Sequence, residues 1–373
     1  MVEQTKTSDG MGQSAATTVA YAETYARRVE SLAIWALLIF GLSAIALLYV
    51  VNAGRESIPI SPDRGSIGFQ GLVLSMLAAL ILTPIVYIRA GAYRNEMLPE
   101  RLHTKYGWLV VPITLAVTLL VGLVSAGTFE IFTRSFEGVE LSRLSAALRL
   151  GALIGTFSYL IVSWIARMRG SNLIYIAIFY LFATLLVAGA TNENAAWYEG
   201  SFSYLGMTES SSTMIFNLGL PFTGLLIVIW SLFFTDYLDV LLAEGILTER
   251  SRNIIRWAII LAGILLSMVG IVRFGIGLIG NIIHDLSATG MGVMLGVLML
   301  FIPRFIKEFP REFYIYSYTV VAMLVLAVIL FIMGVYSLTG IELSAFSMSA
   351  FWLIIFYRNV VQLVEQVRPD LKF

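Results

Sequence analysis

The sequence predicts an all-α protein, a polytopic bundle of transmembrane helices that crosses a bilayer about ten times. Three observations predict this class. Hydrophobic residues make up 58% of the 373 positions and charged residues only 13%, whereas soluble domains are closer to half apolar and a quarter charged. Apolar runs of bilayer-spanning length recur along the whole chain, and Lys and Arg concentrate in alternate loops between them.

Ten apolar segments have the length of a transmembrane helix, which is about 20 residues. A polar segment, 1–30, precedes the first of them. That first run is too long for a signal peptide, and no small-residue cleavage site follows it, so we expect it to be retained as a span. The predicted spans are roughly 31–52, 70–88, 107–127, 146–166, 172–190, 213–234, 254–278, 286–303, 314–337 and 342–357, the last continuing as a helix to about Glu365.

The distribution of basic residues predicts the orientation. If the N-terminus lies in the cytoplasm, 18 of the 24 Lys and Arg residues fall in inner segments, as the positive-inside rule requires. The loop from Thr191 to Thr213 contains three Glu and no Lys or Arg, which indicates an external loop. Ten spans return the C-terminus to the side of the N-terminus, so both termini are predicted to be cytoplasmic.

Short motifs recur at offsets near 145 residues and predict an internal repeat. Leu144-Ser145-Ala146 opens the fourth span and Leu286-Ser287-Ala288 opens the eighth, while Phe69-Gln70 and Phe216-Asn217 open the second and the sixth. We therefore predict four spans repeated in the same orientation, followed by two more; the alternative is a chance match between apolar segments. The predicted division is a polar N-terminal segment, a four-span unit and a six-span unit, at 1–30, 31–170 and 171–366.

A Gly-x-x-x-Gly spacing follows the Leu-Ser-Ala motif in both places. Glycines four residues apart lie on one face of a helix and allow a second helix to approach closely. In a chain with ten spans, we favour packing inside the bundle over dimerisation. The predicted helix-packing positions are Gly151, Gly155, Gly292 and Gly296.

Residue content argues against several kinds of membrane chemistry. The chain has no Cys, which removes iron–sulfur ligation and Cys-type zinc sites. The two histidines, His103 and His284, are predicted on opposite sides of the membrane, so they cannot share one haem iron. All four lysines lie outside the spans, which argues against a Schiff base on a buried lysine. The span centres lack the ionisable residues that ion-driven transporters and proton pumps use. We therefore expect no cofactor, no metal and no catalytic residues.

Polar residues concentrate at the predicted outer end of the second half. We interpret them as a polar recess that binds a lipid headgroup or a partner loop, with Arg273 paired to Asp285. The alternative is a polar cap that closes the helix bundle and satisfies the span ends. Hydrolysis is not favoured, because no serine nucleophile motif accompanies the adjacent His and Asp. The candidate residues are Asn192, Glu209, Asn217, Arg273, His284 and Asp285, with Asn194 close by.

Four motifs in the second half carry a family resemblance. They are Ser201-Phe202-Ser203-Tyr204-Leu205-Gly206, Phe216-Asn217-Leu218-Gly219-Leu220, Val269-Gly270-Ile271 and His284-Asp285-Leu286-Ser287-Ala288. Together they resemble the prokaryotic membrane family called domain of unknown function 998, over about residues 172–340. The resemblance implies a prokaryotic cytoplasmic membrane and a helical architecture, and no known activity. Tyr204 stands where the family usually has an acidic residue, and Arg273-Phe274 lies near the place of its acidic Phe-Pro-Glu, so a function of those carboxylates does not transfer.

These observations favour a non-catalytic membrane protein, an accessory or scaffold subunit of a membrane complex that contacts lipid. The alternative is a carrier or exporter of an apolar or lipid-like substrate, and a third hypothesis is a lipid-modifying enzyme. Expected partners are membrane lipids and other membrane subunits; a net charge of zero gives no sign of nucleic-acid binding. A scaffold should co-purify with other chains, a carrier should show a cavity open to one side, and an enzyme should show convergent carboxylates or a metal.

Overall fold

The computed structural model describes residues 5–61, 63–95, 107–136, 138–168, 172–207 and 211–369. Within these ranges, ten helices are long and apolar enough to cross a membrane. This result confirms the predicted all-α polytopic class and the ten spans, and it makes the chain an integral multi-pass membrane protein. The helices are α1 (Thr5–Val51), α2 (Ile67–Asn95), α3 (Val110–Ser135), α4 (Arg143–Arg167), α5 (Leu173–Thr191), α6 (Ser211–Ala243), α7 (Glu249–Ile271), α8 (Leu278–Phe305), α9 (Arg311–Ile332) and α10 (Leu338–Val367).

Two very short strands accompany the helices. β1 (Ser57–Pro59) pairs antiparallel with β2 (Glu140–Ser142), and Ile58 lies opposite Leu141. The pair joins the α1–α2 connection to the α3–α4 connection, and the side chain of Ile58 is fully buried beneath it. Three-residue strands leave too short an alternating pattern to be predicted from sequence.

The chain divides into two compact units, Met1–Met168 and Arg169–Phe373. In the first unit, α1 packs along α4, and α2 packs against α3 and α4. The close α1–α4 crossing depends on glycine: a Cβ atom added at Gly151 would lie 2.8 Å from the carbonyl oxygen of Gly41, and one added at Gly155 would lie 2.9 Å from that of Leu37. Small residues of this kind let the two backbones meet.

In the second unit, consecutive helices pack against one another: α5 on α6, α6 on α7, and α7 on α8. The tight crossing here lies between α6 and α7, where a Cβ atom at Gly263 would lie 2.7 Å from the carbonyl oxygen of Gly224. The last helix, α10, packs on α9 and α6. Its buried Trp352 donates a hydrogen bond of 2.8 Å to Ser317 of α9.

The packing does not reproduce the predicted four-helix repeat. The first helix of unit one packs mainly on the fourth, whereas the first helix of unit two packs mainly on the second. The physical reason lies in the small residues. Gly151 and Gly155 meet α1, but a Cβ atom at Gly292 or Gly296 would have nothing within 4 Å. The repeat prediction is therefore wrong for the helix neighbours, and these two glycines of α8 face open space.

Candidate functional site

One end of the second unit is closed by a loop, residues 192–207, which we call the cap loop. Two asparagines shape its start: the Asn192 side chain accepts a hydrogen bond from the Asn194 backbone at 2.9 Å, and Asn194 accepts one from the Ala196 backbone at 3.0 Å. Such local bonds favour turns over helix continuation. Two short 3-10 turns follow, at Trp197–Glu199 and Phe202–Gly206.

His284, in the second turn of α8, holds the cap loop from one side. Its side chain is only 2% exposed. Its Nδ1 atom lies 2.8 Å from the backbone oxygen of Val272, and its Nε2 atom lies 2.7 Å from the hydroxyl oxygen of Ser203. Because a carbonyl oxygen can only accept, Nδ1 carries a proton, and a neutral ring then accepts the Ser203 hydroxyl proton at Nε2. The histidine thus joins the cap loop to the end of α7.

The start of α10 holds the cap loop from another side. The half-buried Glu342 accepts a hydrogen bond of 2.6 Å from the backbone N–H of Phe202. One turn earlier, Thr339 donates a hydrogen bond of 2.7 Å to the backbone oxygen of Tyr198. The Asp285 carboxyl lies within electrostatic range of Glu342. Neither Glu342 nor Ser203 is among the predicted members of the cluster, because their partners lie 140 and 81 residues away in the sequence.

The predicted asparagines also hold the cap loop. The buried Asn192 donates a hydrogen bond of 2.9 Å to Ser212 of α6, and the buried Asn217 donates one of 3.0 Å to the backbone oxygen of Gly206. Both amides therefore join the ends of the loop to α6. Buried amides placed in this way satisfy backbone and hydroxyl groups, which is what a polar cap requires.

The other predicted members of this cluster behave differently. Arg273 and Asp285 are both exposed, and no ion pair joins them in the described part of the chain. The predicted Arg273–Asp285 pair is therefore wrong; both groups have access to water and need no partner. Glu209 lies outside the described residues. Within those residues, no group of three or more His, Cys, Asp or Glu is arranged to hold a metal ion.

The opposite end of the second unit contains a cavity of about 250 Å³. It lies between the start of α5, the end of α6 and the end of α10, and we call this end the cavity end. No carboxylate lines it among the described residues. Its lining residues are Asn172, Tyr175, Tyr237, Tyr357, Arg358, Val361 and Gln362.

Aromatic rings form the inner wall of this cavity. The ring of Tyr357 packs edge to face on Tyr175 and on Tyr237, with centroid distances of 6.1 and 6.2 Å. Behind it, Trp230 stacks on Phe234 at 4.8 Å. Edge-to-face and offset contacts of this kind hold rings in fixed orientations. The wall is therefore an ordered aromatic surface that includes three tyrosines.

The charges at the cavity end are unevenly paired. Arg252 donates two hydrogen bonds to Asp239, at 2.8 and 3.1 Å, and Arg368 lies 3.4 Å from Glu244. Arg358, which lines the cavity, is exposed and makes no ion pair with a described residue. The cavity lining therefore includes a guanidinium group that is not ion-paired with any described carboxylate.

No family model matches the chain, and no curated protein or solved structure is significantly similar to it. The resemblance to the domain of unknown function 998 stays a prediction. The case for a function therefore depends on the geometry of the two ends of the second unit.

Proposed function

We propose that this integral membrane protein is a carrier of an amphiphilic, lipid-like molecule, which the second unit loads at its cavity end. The observation that supports the proposal is the aromatic-walled cavity of about 250 Å³. It opens at one end of a helix bundle whose other end is covered by the cap loop. Access from one side is the property that distinguishes a carrier from a scaffold.

The chemistry of the cavity suits an amphiphile. Tyrosine combines an apolar ring with a polar hydroxyl, and aromatic residues of this type are enriched where membranes meet water. A volume of about 250 Å³ is smaller than the roughly 300–1,000 Å³ of sites that enclose drug-sized ligands. The cavity therefore accommodates the polar head of an amphiphile, while its chains stay in contact with the bilayer.

A carrier also needs an end that can open in turn. Three hydrogen bonds join the cap loop to α8 and α10: Ser203 to His284, Phe202 to Glu342, and Thr339 to Tyr198. Each such bond contributes about 0.5–1.5 kcal/mol net. Breaking all three costs a few kcal/mol, which is the scale of conformational equilibria that a ligand can shift.

The test is lipid transfer by the purified full chain in liposomes. A fluorescent lipid starts in the inner leaflet. When it reaches the outer leaflet, a membrane-impermeant quencher removes its fluorescence, so the fall in fluorescence measures transfer. We expect Val361→Trp, which fills the cavity, to reduce transfer to the rate of protein-free liposomes. The control Val328→Trp, on an exposed face of α9, should leave transfer unchanged. Equal rates for the wild-type protein and for empty liposomes would contradict the proposal.

A second candidate function is the accessory subunit of a membrane complex. It is favoured by Gly292 and Gly296, which face open space on α8 although their spacing suits close helix packing. The test is co-purification in mild detergent from native membranes. A transmembrane partner should be recovered with the wild-type chain and lost with the double variant Gly292→Leu and Gly296→Leu. Recovery of the wild-type chain alone would exclude a stable partner on this face.

A further inference from the structure

We infer that the cavity of the second unit is a phosphate-binding site and that Arg358 is its recognition residue. This inference extends the proposed function, and depends on it, by naming the chemical class of the ligand: a molecule that carries an anionic phosphate group. The site is formed at the cavity end by Asn172 and Tyr175 of the α5 start, and by Arg358 and Gln362 of α10.

The pairing of charges at the cavity end favours an anionic ligand. At the same end of the unit, Asp239 and Glu244 near the end of α6 are already paired, with Arg252 and Arg368. Arg358 has no such carboxylate, and no described acidic residue lines the cavity. A guanidinium group stays protonated under all ordinary conditions. This unpaired guanidinium group favours an anion as the ligand.

The cavity lining also supplies hydrogen-bond donors that suit phosphate oxygens. The planar guanidinium presents several N–H groups in a fork that matches phosphate oxygens, often with two parallel hydrogen bonds. The amides of Asn172 and Gln362 and the hydroxyl of Tyr175 line the same cavity. Each of these side chains can donate a hydrogen bond to oxygen. A tetrahedral phosphate can accept several such bonds at once, whereas an alkyl chain can accept none.

Two of the lining residues lie near helix ends. Asn172 is the N-cap residue of α5, and Gln362 lies five residues before the end of α10. Both residues are thus close to helix ends, at the depth where the headgroups of a bilayer meet a spanning helix. A phospholipid headgroup and a free phosphate ion share the recognised chemistry, and they differ in whether acyl chains are attached.

The test uses the purified full chain in nanodiscs and in detergent, with lipid binding counted by native mass spectrometry. The probes are dioleoylphosphatidylglycerol, dioleoylglycerol without the phosphate, and inorganic phosphate as a competitor. The variants are Arg358→Gln, Arg358→Lys and Val361→Trp. The matched control is Arg311→Gln, which removes an exposed arginine at the start of α9, also at the cavity end. Elution volume and thermal unfolding verify the fold of each variant.

We expect phosphatidylglycerol to bind the wild-type chain in preference to dioleoylglycerol. Arg358→Gln should weaken that binding about tenfold, as expected for loss of a hydrogen bond to a charged group, and Arg311→Gln should not. Arg358→Lys should retain part of the binding, because it keeps the charge and loses the fork. Displacement of the lipid by inorganic phosphate would identify the free ion as the ligand source, and resistance to it would identify the lipid.

Two other outcomes separate the inference from the proposed function. If both lipids bind equally, Arg358→Gln binds like wild type and Val361→Trp blocks both, the cavity binds amphiphiles and the phosphate inference is overturned. If Val361→Trp leaves binding of both lipids intact, the cavity is not the binding site and the proposed function fails as well. Should Arg358→Gln not fold, Arg358→Lys and the comparison of the two lipids on the wild-type chain still decide the question.

Discussion

The close α6–α7 crossing predicts that a larger residue at Gly263 lowers the stability of the protein. A Cβ atom at Gly263 would lie 2.7 Å from the carbonyl oxygen of Gly224 and 3.2 Å from the backbone nitrogen of Val228. Both neighbours are backbone atoms, so Gly263→Ala can be accommodated only if the two helices separate. Overpacking of this kind costs about 1–3 kcal/mol. The same substitution at Gly296 adds its methyl group to open space and should change stability by less than about 0.5 kcal/mol.

The assay is unfolding of the purified chain in mixed micelles by increasing amounts of a denaturing detergent. We expect the midpoint to fall for Gly263→Ala and to remain unchanged for Gly296→Ala. The two variants carry an identical chemical change in a transmembrane helix, so helix propensity cancels between them. Equal midpoints for the two variants would refute the conclusion that backbone contact between α6 and α7 supports the second unit.

Three further predictions concern the loops. Replacement of His284 by Ala should speed amide hydrogen exchange in the cap loop, because the bond from Ser203 contributes about 0.5–1.5 kcal/mol; unchanged exchange would show that His284 does not hold the loop. A single cysteine placed at Ser201 should react with an impermeant maleimide on intact cells, whereas reaction only after lysis would reverse the predicted orientation. Asn52 and Gln70 exchange two amide hydrogen bonds of 2.9 and 3.0 Å, so Asn52→Leu should lower stability by about 1–3 kcal/mol in the same unfolding assay, and no change would show that the pair is dispensable.

The number of spans could be predicted because it depends on local information. An apolar run of bilayer length is visible within a short window of sequence. The helix bounds were harder to predict, because hydropathy marks only the apolar centre of each helix. In the structure, α1 begins at Thr5 and α10 ends at Val367. Polar residues can continue a helix beyond the hydrocarbon layer without leaving a hydropathy signal.

The helix neighbours could not be predicted from the same information. Gly151 and Gly292 have similar surroundings in sequence, yet Gly151 meets the backbone of α1 and Gly292 faces open space. Which small residues meet depends on contacts between distant segments. A four-residue spacing shows only that close approach is possible.

The polar contacts around the cap loop were predicted in part. His284 stood out because ionisable groups are rare in this chain. Nothing in the local sequence of the loop distinguishes its partner Ser203 from other serines. The cavity end was missed, because its residues come from the ends of three separate helices. A signal was present in the three tyrosines and one arginine predicted on the same side of the membrane: Tyr175, Tyr237, Tyr357 and Arg358. Aromatic residues near span ends are so common that such a signal does not stand out in the sequence.

Photolabelling by a lipid tests the central claim most directly. A phosphatidylglycerol analogue with a photoactivatable group next to the headgroup is reconstituted together with the purified full chain and then activated. The labelled peptides are mapped by mass spectrometry. We expect labels at the cavity lining, near Asn172 and Tyr175 and near Tyr357 to Gln362, and we expect Val361→Trp to abolish them. Labels distributed evenly along the exposed faces of the helices, and unchanged in that variant, would contradict the central claim.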